Sequence, residues 1–207
     1  MNNSLNIADE IGFQVGKCSS LGYLGLIYHH LGKNITTQQY CHQSLEINQE
    51  LDDPSSRATV LTILGYAHQG TGMLAESVEC FQEAKTLRRN LDQHHLAMEA
   101  VAGLAKIYLI QDNLKEAQLM VEEILEHLKT DSINGTLEPF RIYLTCYQVL
   151  KENNDNRAEE ILNTAHTLLQ ERASRIDNQD LQRSFLENVA VNRKIVEEFS
   201  KLMDGVN

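Results

Sequence analysis

Tryptophan is absent from the 207 residues, proline occurs twice (Pro54 and Pro139), and aromatic side chains make up 6% of the chain. Scarce proline matters because each internal proline removes a helical hydrogen bond and clashes with the preceding turn, so long stretches here are free to be helical. Long apolar runs are missing too. No segment approaches the roughly eighteen uncharged apolar residues of a membrane-spanning helix, and the polar start "MNNSLNIADE" lacks the basic and apolar regions of a signal peptide. The sequence therefore predicts a cytoplasmic protein without a membrane partner. Also lacking are runs of alternating β-branched residues, which argues against a sheet. Basic side chains are in deficit, 18 against 29 acidic, giving a net charge of −11. A phosphate backbone is bound by a basic stripe that releases counterions, so nucleic acid is excluded as an expected partner.

What is present, 42% hydrophobic and 23% charged residues, is the composition of an ordinary globular chain rich in helix formers. Its chemistry-bearing residues are scattered. Cys18, Cys41, Cys80 and Cys146 lie far apart without a C-x-x-C, which predicts small apolar core residues rather than a zinc or disulfide framework. None of the eight histidines falls in metal-ligand spacing, and His29 with His30 reads as a solvated pair near a helix C-terminus. "HQGTGMLAES" has two glycines but no Lys-Ser/Thr of a phosphate loop. With no nucleophile, metal or cofactor motif, the expectation is a non-catalytic protein.

The positive signal is a repeat. Leu24-Gly25, Leu64-Gly65 and Leu104-Ala105 are spaced by forty, with Thr145-Cys146 one residue later. Before each pair stand Leu21, Leu61, Val101 and Ile142; after it come Tyr28, His68, Tyr108 and Val149, then a turn column of Gly32, Gly72, Asp112 and Asn153. Small residues follow at Thr37, Ser77, Ala117 and Ala158, and then Cys41, Phe81, Val121 and Leu162. Apolar positions three and four apart mean helix, and the turn column divides each unit into a helical hairpin, with spans predicted at 18–31 and 36–51, 56–71 and 75–92, 96–111 and 115–130, and 137–152 and 156–175. "SLNIADEIG" at 4–12 aligns with "SLEINQELD" at 44–52 on the same offset, so the chain is expected to open inside the second helix of a repeat. That half-repeat would expose an apolar face, as in a fragment of a longer protein or a chain whose end is covered by a partner or second copy. After residue 176 the sequence predicts two amphipathic helices capped by Asn178 and Asn188.

The Leu-Gly pair, the tyrosine three residues on, the turn glycine, and the aromatic-then-alanine pair Phe81 and Ala84 resemble the tetratricopeptide repeat. The family's tryptophan is missing, and the period of forty is similar to the variants of bacterial signalling proteins, in which the second helix is extended. The closing "RSFLENV" is similar to what ends such arrays in bacterial signalling ATPases and nucleotide cyclases. The resemblance implies an all-α fold, a right-handed superhelical solenoid. Its one domain, 1–207, would divide into a partial repeat (1–16), four hairpin repeats (17–55, 56–95, 96–136 and 137–176) and a helical cap (177–207).

It also implies a function. In the family, first helices line a concave groove that binds a protein or peptide. The matching positions here include Leu26 and His29 in the first hairpin, Tyr66 and Gln69 in the second, and Lys106 and Leu109 in the third. The fourth contributes Phe140, Tyr143, Tyr147 and Lys151. Tyrosines give contact area at low entropic cost, which marks this set as the expected binding wall. The expected role is a protein-binding scaffold within a larger bacterial signalling or regulatory protein. The alternatives are a dimerisation module joined through the N-terminal half-repeat, and a ligand-sensing module that controls an attached effector.

Overall fold

The computed structural model describes residues 2–204, leaving aside the side chains of residues 2–4 and 9. Eleven helices follow one another among the described residues: α1 (Asn2–Glu10), α2 (Gln14–His30), α3 (Asn34–Leu51), α4 (Pro54–Gly70), α5 (Leu74–Asn90), α6 (His94–Ile110), α7 (Leu114–Thr130), α8 (Pro139–Glu152), α9 (Arg157–Ser174), α10 (Gln179–Glu187) and α11 (Ala190–Asp204). The two prolines open α4 and α8 at the first helical turn, where a missing N–H costs nothing.

The turns set the geometry. Left-handed backbone occurs at Gly12, Gly32, Asp52, Gly72, Asp92 and Asp112, twenty residues apart each time. Only such a residue lets the chain reverse within three positions, and the N–H that follows returns to a carbonyl of the last helical turn, as from Lys33 to Tyr28 and from Met73 to His68 (2.9 Å each). The forty-residue period is therefore two equal twenties. Both helices of each of the first three hairpins run 17 or 18 residues, so the extension is shared rather than confined to the second helix. α2, α3, α4 and α6 begin two to four residues earlier than the apolar periodicity suggests and α5 and α7 one residue earlier, whereas α8 and α9 begin two residues and one residue later.

Successive helices pack side by side, and first helices also touch first helices. Small residues make this close approach work. A Cβ on Gly25 would lie 2.9 Å from Cys41 Sγ, and one on Gly65 or Gly103 would lie 2.8 or 2.5 Å from the Phe81 ring. The Phe81 ring, fully buried, thus fills space that two glycines leave on α4 and α6. The small column on second helices adds a hydrogen bond: Thr37 Oγ1 donates to the Gly25 carbonyl (3.2 Å) and Ser77 Oγ to that of Gly65 (2.6 Å).

The period breaks after α7. Residues 131–138 form an eight-residue connection with Gly135 in left-handed backbone and Ile133 buried. Downstream of it the reversal falls at Asn154, one position beyond the expected Asn153. Asn178 caps α10, accepting from the N–H groups of Asp180 and Leu181. Asn188 does not cap α11; it ends α10, its N–H donating to the Ser184 carbonyl. Met1 and residues 205–207, the extremes of the expected partial repeat and cap, lie outside the described residues.

Candidate partner-binding groove

The first helices α2, α4, α6 and α8 form one wall, and the ten residues expected to line a groove divide by position along it. Tyr66 is buried to 2% exposure. His29 stacks on its ring at 5.5 Å, Phe81 meets it edge-on at 5.2 Å, and the Arg141 guanidinium lies 4.5 Å above it. Arg141 Nη2 donates to His29 Nε2 at 3.1 Å, and Arg141 also pairs with Glu138 beside it.

This cluster closes the middle of the wall, since it brings the end of α2 against the start of α8 through residues 112 positions apart. It also corrects the reading of His29 as solvated. Burial and the Arg141 charge push its pKa down to about 4, and because an arginine can only donate, Nε2 must be the acceptor of a neutral ring. The Nε2 lone pair is thereby taken up by Arg141, and among the described residues no three His, Cys, Asp or Glu side chains converge on a point.

Glu99 anchors the cluster from α6. Its buried carboxylate accepts the Leu137 and Glu138 N–H groups at 3.0 and 2.9 Å, capping α8 from another helix, while the Tyr66 hydroxyl donates to its backbone carbonyl at 3.4 Å. Burial pushes the Glu99 carboxyl up to about 7 despite those donors. Burial works the same way on Glu138, but there the Arg141 guanidinium outweighs it and holds the carboxyl below its ordinary value. Glu138 and Arg141 escaped the sequence reading because their partners come from other repeats. The available signal was a guanidinium set inside the apolar run "PFRIYL".

The fourth-repeat residues face the cap instead. Phe140 meets Phe185 edge-on at 6.4 Å with Arg172 over its ring. The Tyr147 hydroxyl donates to Glu198 at 2.8 Å, and Lys151 joins them at 2.9 Å. Lys151, Tyr147 and Lys201 bonds hold the Glu198 carboxyl far below the usual carboxylate range. Tyr143, also buried, turns toward a cleft between α8, α9 and residues 132–134. Lys106 donates to Gln148 at 2.8 Å, while Leu26 and Leu109 are half-buried beside the core.

One part of the wall stays open. A cleft of about 320 Å³ lies between the C-terminal ends of α2 and α4, the start of α8 and the α10–α11 link, lined by His30, Asn34, Gln69, Arg141, Asn188 and Val189 among others. The Gln69 amide nitrogen lies buried behind this lining without a hydrogen-bond partner. All four cysteines are free and buried, and burial pushes the thiols of Cys41, Cys80 and Cys146 up to about 12, which keeps those three protonated at neutral pH.

Residues 56–130, the span of α4 to α7, match the tetratricopeptide repeat family. That span, α4 to α7, carries tetratricopeptide repeats. The chain's solenoid is similar to two solved structures of nearly identical repeats from a protein described as a kinesin light chain of Podosopora anserina, one of them a point variant. Both are 16% identical with a TM-score of 0.56; the match covers 90% of this chain and 89% and 90% of theirs, a likeness of fold. No curated protein sequence matches the chain. Tetratricopeptide hairpins stack so that each buries its face on its neighbours, which leaves a long inner wall available to a protein partner.

Proposed function

We propose that the protein is a non-catalytic scaffold that binds a peptide segment of a protein partner, and that the segment enters the cleft between the ends of α2 and α4. The observation that carries this reading is the open, polar-lined cleft at the end of the wall, with His30, Asn34 and Gln69 in its lining. Such groups suit the main-chain carbonyls of an extended segment, with Val189 and Val191 providing apolar contact. The net charge of −11 favours a segment with basic residues by raising its encounter rate.

Tyr66 is unsuitable for testing this, because truncating a buried ring under Arg141 would unfold the wall. A double variant, His30→Ala with Gln69→Ala, removes side chains from the cleft while leaving the core intact. Peptides selected from a randomised library should be enriched in lysine and arginine, and the double variant should bind them about tenfold more weakly, or about 1.4 kcal/mol. Equal binding by a variant of unchanged helicity moves the partner site elsewhere.

A further inference from the structure

The cleft beside Tyr143 holds about 320 Å³ between the start of α8, the C-terminal half of α9 and residues 132–134 of the connection that breaks the period. Its buried lining is apolar: Ile133, Phe140 and Tyr143 are 5%, 8% and 9% exposed, with the more open Leu168 beside them. A tyrosine this buried ordinarily finds a partner for its hydroxyl. The Tyr143 hydroxyl makes no hydrogen bond among the described residues and is left open to the cleft. Burial raises its pKa, so the group keeps its proton and can donate it.

Two guanidinium groups join it from α9. Arg172 and Arg175 stand three apart, on one face of the helix, and neither forms an ion pair among the described residues. Arg57, Arg89, Arg141 and Arg157 each have a carboxylate partner in a chain with 29 acidic side chains, so two neighbouring arginines without one are a local surplus of positive charge. Arg172 lies 5.3 Å from the Phe140 ring centre, which holds a cation over the apolar lining, and it also borders the neighbouring cleft beside α10. Glu171 lines the cleft as well and pairs with neither arginine.

We infer that this cleft binds a small organic acid, whose apolar body lies on Ile133, Phe140 and Leu168 and whose carboxylate accepts from the Tyr143 hydroxyl and the Arg175 guanidinium, with Arg172 alongside. Each group of the lining then has a use. A carboxylate accepts charge-assisted bonds from a guanidinium and a phenol together, and it answers the surplus charge that Glu171 alone leaves standing. A cleft of this volume is at the small end of ligand sites and suits one small molecule rather than an extended chain. The inference is independent of the peptide cleft, with which this one shares no lining residue.

Isothermal titration calorimetry tests it with phenylacetate as the probe, beside its uncharged isostere phenylacetamide and a short peptide ending in phenylalanine. Phenylacetate should bind about tenfold more tightly than the amide, and Tyr143→Phe and Arg175→Gln should each weaken it about tenfold. Arg175→Gln should leave the amide unchanged, and Glu171→Gln, which removes the opposing charge, should tighten the acid. Tyr143→Phe keeps the buried ring, and Glu171 and Arg175 are exposed, so the variants keep the fold, which circular dichroism verifies. No binding of phenylacetate at millimolar concentration overturns the inference, as does equal affinity for acid and amide or binding indifferent to Tyr143→Phe and Arg175→Gln. A peptide that binds more tightly than phenylacetate overturns it in favour of a protein chain terminus.

Discussion

His29 is held by two groups that both oppose its protonation, the Tyr66 face that buries it and the Arg141 guanidinium that donates to it. With its folded pKa near 4 against 6.5 in the unfolded chain, its contribution is intact above pH 6.5 and is lost as pH falls toward 4. Glu99 acts in the opposite sense: its raised pKa favours the folded state below about 4.5 and penalises it as pH rises through 7. A bare stability profile therefore mixes the two, and His68 and His166, also depressed by burial, add to the first. Comparing the parent with His29→Gln, which keeps an acceptor for Arg141 and does not titrate, isolates one. Urea unfolding should show the parent losing about 2 kcal/mol relative to the variant between pH 7 and pH 5. Parallel curves would mean that His29 keeps an ordinary pKa.

Between elements, the decisive contacts are glycine against ring. Gly103→Ala sets two effects against each other: alanine raises helix propensity by about 1 kcal/mol, while its Cβ would fall within 2.6 Å of three atoms of the Phe81 ring. That ring cannot retreat, because Gly65 of α4 bounds it on the other side. Overpacking typically costs about 1–3 kcal/mol, so net destabilisation is expected. Thermal melting should reverse the sign in a Phe81→Leu background, where the ring is gone. Gly16→Ala is the contrast, since its neighbour Phe13 is an exposed side chain free to swing away, and the propensity gain should prevail. Destabilisation of equal size at both glycines would assign the effect to backbone instead of ring.

Across the whole molecule, burial is concentrated in the middle of the stack. α4 and α6 each bury ten residues, whereas α10 buries none and α1, among its described side chains, buries Ala8. A solenoid's stability is close to a sum of units and neighbour interfaces, so opening should begin at the ends. Hydrogen exchange followed by mass spectrometry should show α1 and α10 exchanging first and α4 to α7 last. Uniform protection along the chain would mean that the stack unfolds as one unit.

The helical class, the hairpin repeat and the small-residue columns were legible in the chain because each is a local pattern: spacing sets the helix face, and glycine or aspartate at the reversal sets its end. The cysteines read as core residues for the same reason, and they are buried. What spacing could not show was which wall residues remain open. Tyr66, Phe140 and Tyr147 stand in the columns that line a groove, yet they are covered, because Arg141 arrives from α8 and the α10–α11 pair folds back over the fourth repeat. Glu99 gains its meaning only from the Leu137 and Glu138 N–H groups that the eight-residue connection swings onto it. The sequence determined each hairpin, since a helix face needs only its own residues. Curvature decided the groove, since bringing the end of α2 against the start of α8 depends on small rotations accumulated over three intervening interfaces.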